Sequence, residues 1–240
     1  MTKKKIVLIG CVLSSKIALD FLLSLNKNQY ELSGVITKYE SSINADFVDI
    51  PSISKKNKIP TFIFKVNDKV GDMSSWLESI KPDLMFVIGW SHILSNEIIS
   101  IPSIGTIGFH PTDLPMNRGR HPIIWSLVLG LRKTASSFFL IEAEVDKGSI
   151  INKRVIKIAI NDNAKTLYSK ICRSIPIQIN QILGSIKDNS FSHIAQPQDN
   201  RLSNSWRKRK AIDGKIDWRM SSVSIYNLIR ALSWPYSGAF

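Results

Sequence analysis

A chain of 240 residues, 44% hydrophobic and 21% charged, is long and apolar enough to bury a full α/β domain with a small appendage, which excludes a disordered chain. Its formal net charge of +13 points to polyanionic partners, whether tRNA, a membrane surface or a phosphorylated small molecule, without choosing among them. No apolar stretch reaches the ~20 residues needed to span a bilayer, and the lysines at 3 to 5 lead into a strand rather than a signal sequence, so a cytoplasmic protein without a membrane segment is expected.

In chain order, KKKIVLIG is a basic lead-in to a continuous apolar run, the pattern of a parallel strand buried on both faces, and Ser15 to Leu25 then repeats apolar residues at helical spacing. The turn between them, GCVLSSK, lacks the GxGxxG that lets a backbone approach a dinucleotide, which excludes a nicotinamide site. Ser14, Ser15 and Lys16 could hold a phosphate at the helix amino end or simply form a solvated cap. Strands are expected at Leu32 to Thr37 and Thr61 to Phe64, with a helix over Pro51 to Asn57 between them. A helix over Ser74 to Ile80 and a buried strand in DLMFVIG continue the alternation, which ends in an exposed Trp-Ser-His-Ile-Leu turn at 90 to 94. The fold class read from this alternation is α/β: a Rossmann-like, mostly parallel sheet flanked by helices, with a short C-terminal extension.

The stretch from Gly105 to Gly130 carries the strongest signal. Thr106 to Phe109 form a short strand, Pro111 and Pro115 forbid a helix directly after it, and Pro122 sits where a helix begins. His110 therefore leaves the carboxyl end of a strand, where open α/β sheets present residues to ligands. Asp146 follows 36 residues later in VDKGSII. Around it lie an expected strand at Ser136 to Glu142, an alternating strand at Ile150 to Ile160 and an amphipathic helix at Asn163 to Leu183. From Ser185 to Asn204 the chain turns polar, and the domain edge is expected there, giving a catalytic domain at 1–185 and a linker with a short extension at 186–240. In that extension Asp213-Gly214 suits a hairpin turn and Val223 to Leu232 a helix. Cys11 and Cys172 lie far apart in apolar contexts without metal-ligand spacing; they fit a reducing compartment, and neither reads as catalytic or as part of a metal site.

HPTDLPMNRGRHPIIW followed by EVDKGSII resembles the formyltransferases that use 10-formyltetrahydrofolate, a family that includes methionyl-tRNA, glycinamide ribonucleotide and nucleotide-sugar enzymes. The tail, with its Asp-Gly-x-Ile-Asp-Trp, Ile-Arg-Ala and Pro-x-x-Gly-Ala-Phe elements, resembles the segment after the core in the tRNA and sugar branches. The resemblance implies His110 and Asp146 as the catalytic pair, and Trp90, Ser91, His92, Ile93 and Leu94 as the loop that wraps the folate. It implies Ser14, Lys16, Thr112, Arg118 and Arg120 as substrate-binding residues. The family's asparagine position holds Gly108, so the oxyanion of the transfer would be met by the Gly108 backbone, Asn117 or a water.

By this resemblance the acceptor is a nucleotide-linked amino sugar, a dTDP-4-amino-4,6-dideoxyglucose or close relative, destined for O-antigen or lipopolysaccharide; a homodimer is left open. Nucleic acid is not the expected partner. The rival readings are a methionyl-tRNA formyltransferase-like enzyme, which would exploit the charge of +13 and the WRKRK run, and a non-catalytic folate or sugar-nucleotide binder, which would exploit Gly108.

Overall fold

The computed structural model describes residues 3–26, 28–41, 44–65, 70–197 and 199–240. Its first elements are β1 (Lys4–Ile9), α1 (Leu13–Ser24), β2 (Tyr30–Thr37), α2 (Ile50–Lys56), β3 (Thr61–Ile63), α3 (Val70–Ile80), β4 (Leu84–Val87), α4 (Asn96–Ile99) and β5 (Gly105–His110). After these come β6 (Arg118–Gly119), α5 (Pro122–Val128), β7 (Lys133–Leu140), β8 (Ile150–Lys157), α6 (Ala164–Lys187), β9 (Ser205–Trp206) and α7 (Ser222–Ala231). Seven strands hydrogen-bond in the order β3-β2-β1-β4-β5-β7-β8, and β6 pairs with β9 in a separate ribbon. This is the α/β class with a mostly parallel sheet that the alternating patterns predict. Among the described residues no helix is long and apolar enough to cross a membrane.

The chain folds into two compact units, Met1–Phe109 with Phe139–Gly148, and His110–Phe138 with Ser149–Phe240. The polar shift read from Ser185 onward begins at the end of α6, Lys187.

In the first unit β1 runs parallel to β2 and β4, and β2 and β4 run parallel to β3 and β5. Strands covered on both faces need no polar alternation, which is why IVLI and LMFV are continuous apolar runs. Val7, Ile9, Ile36, Met85 and Val87 project from these strands onto Met73 and Leu77 of α3 and Ile98 of α4. Asp49 accepts from the Ser52 N–H and caps α2, while Ser95 accepts from Ile98 and caps α4.

In the second unit α6 carries the packing. Gln178 is fully buried on it, accepts from Ser136 Oγ of β7 at 2.6 Å, and donates to Ser136 O at 3.0 Å and to Asn152 Oδ1 of β8 at 2.8 Å. A buried amide with its bonds made in this way ties helix to strands. Asn163 caps α6 through Thr166 N. The Ile-Arg-Ala element of the tail has a structural purpose: buried Arg230 of α7 donates through Nη1 to the carbonyls of Ala159, Ile160 and Asp162, three acceptors in the turn before α6. Asp213-Gly214, expected as a hairpin turn, lies in a single 3-10 turn, Ala211–Gly214. The strand before it, β9, pairs with β6 rather than with the chain that follows, because Arg118 and Arg120 donate their N–H groups to Asn204 O and Trp206 O.

Candidate active site

In the first unit the turn after β4 and the segment after β7 line one pocket of about 150 Å³, a space for a ring-sized group. Val87, Trp90, Leu94, Phe109, Phe139 and Ile141 give it apolar walls, and Glu142, Glu144 and Asp146 give it an acidic rim. Four of the five residues expected to wrap the folate, Trp90, His92, Ile93 and Leu94, therefore face the same cavity as Asp146. Ser91 is held elsewhere, its Oγ accepting from Asn44 Nδ2 at 3.1 Å. Trp90 packs edge-on against Phe64 with centroids 5.3 Å apart, and Ile93 stands 82% exposed at the mouth.

Asp146 sits at φ 58°, left-handed backbone that costs a non-glycine residue of order 1 kcal/mol or more and that surrounding contacts must hold. Two residues on, a Cβ at Gly148 would lie 1.7 Å from Leu140 O. The Asp-x-Gly spacing thus has a steric reason: the chain turns so closely past β7 that only glycine passes, and the turn presents Asp146 to the pocket.

Gly108 on β5 also lines this pocket. A Cβ there would meet the Phe139 ring at 2.8 Å and Ile141 at 2.9 Å. The volume that a side chain at Gly108 would enter is thus filled by an aromatic edge, a neighbour the sequence could not reveal because 31 residues separate the two.

At the amino end of α1 the expected phosphate cradle is closed. Ser14 and Ser15 are buried, Ser15 Oγ donates to Ile88 O at 2.5 Å and accepts from Val12 N, and the Leu13 N–H donates to Asp46 O. Lys16 pairs with Asp20 at 2.6 Å. A phosphate at Ser14 or Lys16 would have to compete with these bonds, so their part in substrate binding stays a proposal.

In the second unit His110 is buried at the end of β5, with Nε2 3.2 Å from Asn117 O. A carbonyl only accepts, so neutral His110 carries its proton on Nε2 and keeps its lone pair on Nδ1. The loop that follows is tied down through its backbone. Ser137 Oγ donates to Thr112 O at 2.6 Å, Lys153 Nζ donates to Leu114 O at 3.1 Å and pairs with Asp113 at 2.8 Å, and Asn117 N donates to Asn204 Oδ1 at 2.6 Å. Thr112 is fully buried and donates its hydroxyl to Met116 O at 3.3 Å, so a part in substrate binding would require that bond to be exchanged.

The two arginines of the RGR loop differ. Arg118 is buried, with Nη2 and Nε donating to Gln196 Oε1 at 2.6 and 3.2 Å, so it is built into the fold rather than offered to a ligand. Arg120 is exposed. Beyond it, His121 begins α5 in left-handed backbone at φ 57°, and burial, with Arg120, Lys208 and Arg209 nearby, holds its pKa below the usual imidazole value. The WRKRK run is consumed in part: Arg207 makes a two-pronged pair with Asp213 at 2.6 and 2.8 Å, and Arg209 is buried with its guanidinium 4.7 Å over the Trp125 ring and a bond to Asp213 O. Reading the residues one at a time missed Glu142 and Glu144, although two carboxylates directly after a strand in an acid-poor chain were a usable signal.

Comparison with known proteins follows the same lines. The family model described as Formyl transferase matches residues 17–179, and that described as Formyl transferase, C-terminal domain, matches residues 208–240. The bifunctional polymyxin resistance protein ArnA of Wigglesworthia glossinidia brevipalpis is 35% identical over 213 residues, 88% of this chain. The chain spans about a third of that relative, 32% of its length. Two solved structures share the fold. A 4-N formyltransferase from Francisella tularensis superposes with a TM-score of 0.75 at 18% identity, covering 98% of this chain and 91% of its own. The N-formyltransferase from Helicobacter canadensis, in complex with folinic acid and dTDP-3-aminofucose, does so with a TM-score of 0.72 at 19% identity, covering 95% and 80%. With a family model spanning more than half of its residues and a relative above 30% identity along most of its length, the chain belongs to the formyl transferase family.

Proposed function

We propose that this chain transfers the formyl group of 10-formyltetrahydrofolate to the amino group of a nucleotide-linked amino sugar, a 4-amino-4,6-dideoxyhexose on dTDP. The observation that carries this reading is the pocket of the first unit, whose apolar walls suit a flat ring and whose carboxylates suit an amine. Its support outside the chain is the Helicobacter canadensis protein, which carries a folate and a dTDP-linked amino sugar together.

The amine must lose a proton as it attacks the formyl carbon, negative charge gathers on the formyl oxygen, and the folate nitrogen leaves with a proton. His110, with a lone pair on Nδ1, supplies a proton acceptor in its neutral form and an oxygen-directed donor in its protonated form. Asp146, held in a strained turn beside the first unit's pocket, supplies a negative charge that orients the incoming ammonium. Gly108 offers no side-chain amide at the position where the family resemblance implies an asparagine, so the oxyanion would be met by the Gly108 backbone, Asn117 or a water. Arg120, exposed in the RGR loop, supplies a guanidinium for the diphosphate.

The net charge of +13 favours a second reading, an RNA acceptor, but the pairing of Arg207 and the burial of Arg209 remove two cations from the run that would carry it. Incubation with 10-formyltetrahydrofolate and a panel of dTDP-, GDP- and UDP-linked amino sugars, beside methionyl-tRNA, tests both. A mass gain of one carbonyl on an amino-sugar nucleotide is the expected result. Formylation of the tRNA alone would overturn the proposal.

A further inference from the structure

Behind the turn at 90–94 lies a cluster that formyl transfer, as described, does not use. Lys38 follows β2 and is only 7% exposed. Its Nζ is hydrogen-bonded to His92 Nε2 and stands 5.2 Å from the Trp90 ring centroid and 5.5 Å from that of Phe64. Burial holds this lysine below its ordinary pKa, and the Cys11 thiol acts the other way. The His92 ring lies 5.1 Å from Phe64 and 5.5 Å from Trp90, so one imidazole links the lysine to both aromatic rings.

An ammonium has three donors and no acceptor, and an imidazole nitrogen accepts only while it is unprotonated. With Lys38 as the ammonium donor, the Lys38–His92 bond requires a neutral His92. Once His92 takes a proton both nitrogens are donors, two cations face each other in a partly desolvated site, and the bond is lost. Among the described residues, charged or titratable groups near this cluster include Cys11 on the turn after β1, Asp46 acting on Cys11, and Glu142, Glu144 and Asp146, which line the same pocket as His92.

We propose that Lys38 is a positioning residue for the turn at 90–94, holding it through neutral His92, and that folate binding there is lost as His92 becomes protonated. This rests on the folate reading of the pocket. The sign is set by the accepting nitrogen: binding is fully present above the imidazole's titration and falls below it.

Affinity for 5-formyltetrahydrofolate, a donor that does not react, is measured by calorimetry between about pH 5 and 8.5, within the range where histidine titrates. The natural protein should bind with constant affinity above neutrality and lose up to about tenfold per pH unit in acid, the limit for one proton. His92→Gln keeps an acceptor for Lys38 but cannot titrate, so its affinity, whatever its level, should not change with pH. Lys38→Met should bind more weakly at every pH, with the acid loss reduced. An acid loss in His92→Gln equal to that of the natural protein would overturn the proposal, as would natural affinity in Lys38→Met. Absence of binding at pH 8.5 would instead remove the folate reading. In that event the acid step in Trp90 emission, isolated by subtracting Trp90→Phe, still tests the bond: it should be present in the natural protein, absent from His92→Gln, and moved to higher pH in Lys38→Met, where no ammonium opposes protonation, and an unmoved step would overturn the proposal.

Discussion

The turn at 90–94 and the loop at 111–120 both follow a β-strand and both carry candidate site residues, yet they are held by opposite means. The later loop is tied through its backbone: Ser137, Lys153 and Asn204 bond to its carbonyls and N–H groups, and its Thr112 and Arg118 are spent on internal partners. The earlier turn is tied through its side chains, with Ser91 on Asn44 and His92 on Lys38. A loop fixed by its backbone hides which of its side chains are structural, since the pattern RGR looks like two equal ligand-facing cations. A turn fixed by its side chains couples ligand binding to the chemistry of whatever braces it.

The sharpest way to break this comparison is at its proposed catalytic members. His110→Ala and Asp146→Ala should each lower single-turnover formyl transfer by ~10²-fold or more, with the thermal unfolding profile retained. Near-natural rates in either variant would remove that residue from the chemistry.

The two arginines come next, because the structure separates what their sequence makes alike. Arg118→Ala leaves the buried Gln196 oxygen without its donor and should cost about 1–3 kcal/mol of stability, read as a lower midpoint in urea. Arg120→Ala should leave that midpoint unchanged and weaken binding of the nucleotide sugar by roughly 1.5–3 kcal/mol, the range for a charge-assisted contact. Equal stability of both variants would mean that Arg118 is not built into the fold.

Gly108→Asn tests whether the wall of the first unit's pocket is complete as it stands. Its Cβ would press on Phe139 at 2.8 Å, so the variant should lose about 1–3 kcal/mol by overpacking and gain no rate. Shrinking the ring as well, in Gly108→Asn with Phe139→Val, should recover part of that stability. A rate gain of ~10²-fold in the single variant would show that an oxyanion donor had been missing.

The smallest effect concerns Cys11, buried in the brace behind the turn at 90–94, with burial pushing its thiol up to about 11. At pH 8 on the order of one thiol in 10³ would be ionised, so a thiol reagent acting on a Cys172→Ala background should label Cys11 only after unfolding. Rapid labelling of the folded protein would mean that this brace opens readily.

Much of the fold was legible because its signals are local. Continuous apolar strands, the prolines around His110, and the cap at Asn163 each depend on residues within a few positions of one another, and the observed strand and helix boundaries fall close to the expected ones. The hairpin at Asp213-Gly214 failed for the opposite reason: that dipeptide permits a tight turn, but the partner strand was already committed to Arg118 and Gly119 far earlier in the chain. By itself the sequence determined the α/β class and membership of the family, since these rest on short patterns whose steric and hydrogen-bonding demands are met nearby. Tertiary structure alone decided that Ser14 and Thr112 are buried, that Arg118 serves Gln196 while Arg120 is exposed, that Phe139 fills the place of a side chain at Gly108, and that Lys38 reaches His92. Each of these depends on which distant residue occupies the neighbouring volume, and only the packed chain brings that residue there.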